Sequence, residues 1–258
     1  YGNLNGFSGK INRRSLEKLK QDSNIKSIYL SQSRIIFLQD SVPLINATTL
    51  HNKLINNINL TGKGQTICIL DTGINYSHND FGFCNSLGNG INCRVLTGYD
   101  YFNSDNDPYD DNGHGTHVAG IAAANGGIIG VAPEANLIMI KVCNNLGNNC
   151  PDIAIAAGIN FCINNKNVYN ISIISISLGG ITYPSYCDGL DPLTPSIDTA
   201  FANNITVTAA TGNSGSNSQI SGPACIQNAT SVASSNKQDL ISNFSNRNNI
   251  TDLIAPGE

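Results

Sequence analysis

NLIMIKVCNNLGNNCPDIAIAAGINFCINNKNVYNISIISISL, residues 136–178, decides how this chain folds. NLIMIKV and ISIISISL are short apolar runs rich in β-branched residues and read as strands, and PDIAIAAGINFCINN between them reads as a helix. The same alternation continues outward. TICIL (66–70) and RVLTGYDYF (94–102) precede it as strands, and ITVTAA (205–210) and TSVAS (230–234) follow it. HGTHVAGIAAAN (114–125) and PLTPSIDTAFANN (192–204) read as further helices. Apolar strands alternating with helices predict an α/β fold, a mostly parallel sheet with helices on both faces. In such sheets ligands bind beyond the carboxyl ends of the strands, so the residues just after each strand are the first to inspect.

Two residues at strand ends and one at a helix start carry chemistry. Asp71 follows TICIL in the run DTGIN. His114 stands at the mouth of a helix in DNGHGTHVAG, with Gly113 and Gly115 beside it. Asn213 follows ITVTAA in AATGNSG. Singly, each has an ordinary explanation: a turn aspartate, a packing histidine, a turn asparagine. Together and in this order they are specific. DTGI (71–74), GHGTHVAG (113–120), SLGG (177–180), AATGNSG (209–215) and IAPG (254–257) match, in order and at suitable spacings, the motifs of the subtilisin-like serine proteases. The resemblance runs from about Val42 to Glu258.

The resemblance implies a subtilisin-like fold and serine endopeptidase activity. Asp71 would orient His114, His114 would act as the general base, and Asn213 would donate to the oxyanion. Ser177, Leu178 and Gly179 match the family's substrate-binding strand, and Ala210, Thr211 and Gly212 match the wall of the pocket for the residue before the cut. The small residues of that wall suggest room for a large apolar side chain. The family's nucleophile belongs to a G-T-S-x-A run after the A-P-G motif. Here Glu258 follows Gly257 and no such run occurs earlier, so the expectation is a catalytic domain over 42–258 truncated before its serine, and an inactive fragment.

Residues 1–41 resemble the second half of the family's inhibitory propeptide and read as a partial α+β domain: a strand in GFSGKI, a helix in NRRSLEKLKQD capped by Asn12, and strands in IKSIYL and RIIFLQ. A short helical run, TTLHNKLINN (48–57), separates it from the strand TICIL. Residues 1–40 hold seven basic and three acidic side chains, a balance of +4, and the remainder balances to −8. Opposite charge on two parts of one chain favours their mutual association over nucleic-acid binding. No window approaches the roughly 18 apolar residues of a membrane span. The expected partners are polypeptide substrates and the chain's own propeptide, with no nucleic acid and no membrane.

Eight cysteines in 258 residues point to disulfides, and hence to an oxidising compartment and secretion. Cys84 with Cys93, Cys143 with Cys150 and Cys187 with Cys225 are the pairs that suggest themselves; Cys68 and Cys162 lie in apolar patterns and read as buried thiols. No cofactor is required. The acidic run holding Asp100, Asp105, Asp107, Asp110 and Asp111 is open to two readings, a structural Ca²⁺ site or a solvated loop. Two other functions compete with proteolysis. One is a noncatalytic relative that binds extended peptides in the same cleft, a role that does not need all three of Asp71, His114 and Asn213. The other is metal-dependent hydrolysis through His114 and His117, whose spacing lacks the glutamate of the HExxH and HxxEH motifs.

Overall fold

A computed structural model describes residues 11–25, 28, 38–55 and 57–258, without the side chains of 38–40. The chain divides into two compact units, Tyr1–Ile36 and Phe37–Glu258. In the first, helix α1 (Arg13–Lys20) starts where the sequence places it: Asn12 is in extended backbone and its side chain accepts the N–H of Ser15 at 2.9 Å. That bond satisfies one of the amides a helix start leaves unpaired. Most of the expected strands in GFSGKI, IKSIYL and RIIFLQ fall outside the described residues. The last two residues of RIIFLQ are instead the start of a helix, Leu38–Leu44, which opens the second unit.

The second unit is built on a seven-stranded sheet. Its strands are β1 (Thr66–Asp71), β2 (Val95–Asp100), β3 (Asn136–Lys141), β4 (Ile171–Ile176), β5 (Thr206–Ala210), β6 (Ala229–Ser235) and β7 (Leu253–Pro256). They stand in the order β7-β6-β5-β4-β1-β3-β2, and every pairing is parallel. Helices α2 (His114–Ala123), α3 (Asp152–Asn164) and α4 (Thr194–Ala202) make crossovers.

Side chains alternate along a strand, so each strand serves both faces. Cys68, Leu70, Ile138, Ile140, Ile174 and Val207 pack on one face against Ile155 and Ile159 of α3 and Ile197 of α4. Ile69, Leu137 and Met139 pack on the other against Ala119 and Ala123 of α2. The sheet is therefore buried on both sides, which is why its strands read as apolar runs and not as alternating ones.

Three local expectations change. Cys68 and Cys162 are buried, as expected, but they are not thiols: they form a disulfide between β1 and α3, alongside the bonds Cys84–Cys93, Cys143–Cys150 and Cys187–Cys225. Burial hides a disulfide as well as it hides a thiol, so an apolar context could not separate the two. TTLHNKLINN is helical only within Ala47–His51; Leu54–Ile55 and Ile58–Asn59 then pair as an antiparallel hairpin, its turn using the left-handed backbone of Asn57 (φ 63°) that asparagine tolerates. The run ISIISISL is strand only as far as Ile176, where its pairing with β1 and β5 ends.

The Cys68–Cys162 bond spans 94 residues and Cys143–Cys150 only 7. Chain-entropy estimates then assign the long-range bond ~4–5 kcal/mol and the short one ~2–3 kcal/mol. Urea unfolding of C68A/C162A and C143A/C150A should show the larger loss in the first pair; equal losses would mean that loop closure is not what these bonds contribute.

Candidate active site

The register of the sheet fixes where the candidate residues lie. Ile176 of β4 pairs with Leu70 on one side and Ala209 on the other. Asp71 and Ala210, the next residues of β1 and β5, therefore end in one row, two strand spacings or roughly 10 Å apart. Ser177 lies between them, just past β4.

Asp71 is buried, at 2% exposure, and His114 is half exposed. His114 Nδ1 lies 2.7 Å from Asp71 Oδ1, which also accepts the N–H of Thr72 at 2.7 Å. An ionised carboxylate can only accept, so Nδ1 carries the proton and Nε2 of the neutral ring is left as the acceptor. The bond to Asp71 favours the charged imidazole and raises the His114 pKa above 6.5. Partial burial opposes this, and the charges of Asp71 and Asp110 reinforce it.

What holds the ring there was only partly legible. Gly113, in left-handed backbone (φ 105°), caps α2, and an added Cβ would meet nothing; its role is conformational. Gly115 is the tight position, where a Cβ would lie 2.1 Å from the Gly73 carbonyl oxygen.

Asp110 ties the approach to α2 back to β1. Its Oδ1 accepts the N–H groups of Asn112 (3.0 Å) and Gly113 (2.9 Å) and the hydroxyl of Thr72 (3.0 Å). Its Oδ2 accepts the N–H of Thr116 (2.9 Å) and that residue's hydroxyl. Burial would raise its pKa, but the bonds from Gly113, Thr116 and Asn112 outweigh burial and hold it below the ordinary carboxylate value. Lys141, at the end of β3 and 2% exposed, donates to the Tyr109 carbonyl oxygen (3.1 Å) and Asp111 Oδ1 (2.6 Å). The sequence reading missed both roles. Their signals were an aspartate three residues before a glycine cap, suited to a side-chain turn, and a lysine ending an apolar strand, which must be paired if buried.

The rest of the acidic run is engaged in the same way. Asp100 accepts from Asn103, Asp105 from the Asp107 N–H, and Asp107 from the Tyr76 hydroxyl. Among the described residues no three carboxylates of the run gather within ligand distance of one another. His117 is exposed on α2, and the described residues add no third ligand to it and His114.

Asn213 is exposed and has no hydrogen bond to any described residue. Ala210 is the last residue of β5. Thr211 is buried, its N–H on Val232 O (3.0 Å) and its hydroxyl on Asn246 O (2.7 Å). Leu178 and Gly179 line a cavity of about 520 Å³ with Ile155, Tyr183, Asp191 and Leu193; Ala210, Thr211 and Gly212 lie outside that lining. Burial raises the Asp191 pKa, the charge of Asp152 adds to the rise, and a bond from the Leu193 N–H opposes it.

Residues 62–258 match the profile of the Subtilase family, Peptidase_S8. The chain belongs to that family. It is 33% identical over 280 residues to Serine protease AprX of Bacillus subtilis (strain 168), covering 100% of this chain and 60% of AprX. To Thermitase of Thermoactinomyces vulgaris it is 35% identical over 200 residues, 76% of this chain and 64% of that protein. Among solved structures it is similar to a cold adapted subtilisin-like serine proteinase, with a TM-score of 0.62 at 29% identity over 81% of this chain and 69% of the other. The chain thus spans about 60% of the length of these curated relatives. The parallel sheet and its helices are the subtilisin-like α/β fold.

For this subtilase the raised His114 pKa has a direct consequence. A pKa raised on folding stabilises the protein in full below the unfolded value near 6.5. That stability is lost as pH rises through the folded value. NMR titration should place His114 above 6.5 and D71N should lower it, and the stability gap between the parent and H114A should be largest at acidic pH and close as pH rises. An unchanged titration in D71N would mean that the Asp71–His114 bond does not form in solution.

Proposed function

We propose that this site serves a secreted serine endopeptidase, with Asp71 and His114 as orienting acid and general base and Asn213 as oxyanion donor. The observation that carries it is the 2.7 Å bond between Asp71 Oδ1 and His114 Nδ1, which leaves Nε2 as a proton acceptor at the carboxyl edge of the sheet. A peptide would lie extended against Ser177, Leu178 and Gly179 and hydrogen-bond to their backbone. Its side chain before the cut would rest by Ala210, Thr211 and Gly212.

The chemistry follows from those placements. Nε2 takes the proton of a serine hydroxyl as its oxygen bonds to the scissile carbonyl carbon. Buried Asp71 stabilises the imidazolium, and the Asn213 amide donates to the carbonyl oxygen as it becomes an anion. The imidazolium returns the proton to the departing amine when the C–N bond breaks, and water completes hydrolysis of the acyl-enzyme. The serine of the family's G-T-S-x-A run is not among these 258 residues, so a polypeptide of these residues alone is expected to bind peptides without cleaving them. In this reading residues 1–41 act as a propeptide, a partner of residues 42–258.

Four disulfides support an oxidising compartment, and among the described residues no helix is long and apolar enough to cross a membrane. A fluorophosphonate probe should label one serine of the protein expressed from its complete coding sequence and leave the 258-residue polypeptide unlabelled. H114A should abolish the labelling and lower kcat roughly 10⁴- to 10⁶-fold. Binding of peptides by the complete product with neither labelling nor hydrolysis would establish a noncatalytic relative instead.

A further inference from the structure

Asn213 is asked to present a donor at a fixed point, yet it has no hydrogen bond of its own to any described residue. Its position is inherited from its neighbours, and those neighbours share one partner. Asn246, fully buried at 0% exposure, lies against the loop from the neighbouring segment. Its Oδ1 accepts the N–H groups of Ser214 (2.9 Å) and Ser216 (3.0 Å). Its backbone N–H donates to the Gly212 carbonyl oxygen (2.8 Å), and its carbonyl oxygen accepts the Thr211 hydroxyl (2.7 Å). One residue therefore bonds on both sides of Asn213, to two residues before it and two after.

The contact leaves little play. Gly212 is in left-handed backbone (φ 100°), and a Cβ there would lie 2.3 Å from Ser221 Oγ and 2.6 Å from Asn246 Nδ2. The loop is clamped between those two side chains. The orientation of the Asn246 amide is also fixed: two N–H groups converge on one end, so that end is the oxygen. Its Nδ2 is consequently turned into a buried place where it has no partner. A buried amide that gives up half of its own hydrogen bonding is unfavourable for stability, and such groups mark sites where another requirement prevails.

We propose that Asn246 is a positioning residue for the oxyanion donor, holding the 211–216 loop so that the Asn213 amide stands where the carbonyl oxygen becomes charged. This rests on Asn213 being that donor. A shift of about 1 Å in a catalytic group can slow a reaction by as much as roughly 100-fold, so the effect belongs in kcat and not in ground-state binding.

The test is a double-mutant cycle in the protein expressed from its complete coding sequence, assayed on a peptide amide. N246A should lower kcat roughly 10- to 100-fold with KM changed less than about threefold, and N213A should lower kcat about 10²- to 10³-fold. The double variant should be no slower than N213A, because Asn246 acts only through Asn213. N246D, which keeps the acceptor, should bring kcat back to within about threefold of the parent. If N246A does not fold, N246S takes its place in the same cycle. A lowered Tm with unchanged kcat, or losses that multiply in the double variant, would overturn the proposal. Should N213A itself leave kcat unchanged, the donor assignment and this proposal fail together; a slow N213A beside a fast N246A defeats the proposal alone.

Discussion

Parallel strands can be joined only by a connection that crosses a face of the sheet, and that constraint arranges the rest of this domain. Each crossover returns the chain to the same starting edge, so every strand of β7-β6-β5-β4-β1-β3-β2 finishes at the opposite one. With helices covering both faces, that finishing edge is where polar side chains can gather on a rigid base, Asp71 and Lys141 among them nearly buried. Asp71, Ser177, Ala210 and Lys141 are all placed there by the register, without any long-range instruction beyond strand length.

Burial then differentiates side chains that the sheet has merely collected. Asp71 is almost fully enclosed, and its Oδ1 receives both the Thr72 amide and the His114 ring. A carboxylate removed from water needs donors, and the ring is one of the few within reach, so the acid that orients His114 also depends on it. Asp110 shows the other outcome. Five donors hold its charge, and it anchors the loop that delivers His114. Two aspartates of the same region thus differ by environment, one serving the ring directly and the other the backbone that carries it.

The fold was legible because both faces of the sheet are buried: NLIMIKV and ISIISISL could hardly be anything but central strands, and the helices between them followed. The pairing of Asp71 with His114 was legible because motifs surround both, at a strand end and a helix start. Partnerships between distant segments escaped where no motif or cysteine spacing marked both ends, as these did for Asp71 with His114 and Cys187 with Cys225. Cys68 meets Cys162 across 94 residues. Lys141 reaches back to Asp111, and Asn246 meets Thr211 and Ser216. No local pattern records such a meeting, because each residue's own neighbourhood in sequence is compatible with several partners. The edge strand β7 was recognised only as the IAPG motif, since strand LIAP carries a proline and is too short to show a period.

Two of the buried polar residues, Asp110 and Asn246, act in a common form. His114 and Asn213 are exposed, and an exposed side chain at a loop or helix end is held poorly by its own contacts. In each case the restraint comes from a buried polar residue that bonds to backbone amides beside the exposed one: Asp110 to Asn112, Gly113 and Thr116 around His114, Asn246 to Ser214 and Ser216 beside Asn213. Backbone amides suit this purpose because they cannot rotate away as side chains can, and a buried acceptor that binds two of them fixes a loop in both position and direction. The exposed side chain need not then supply its own restraint, because the geometry is delegated to side chains that are themselves largely buried.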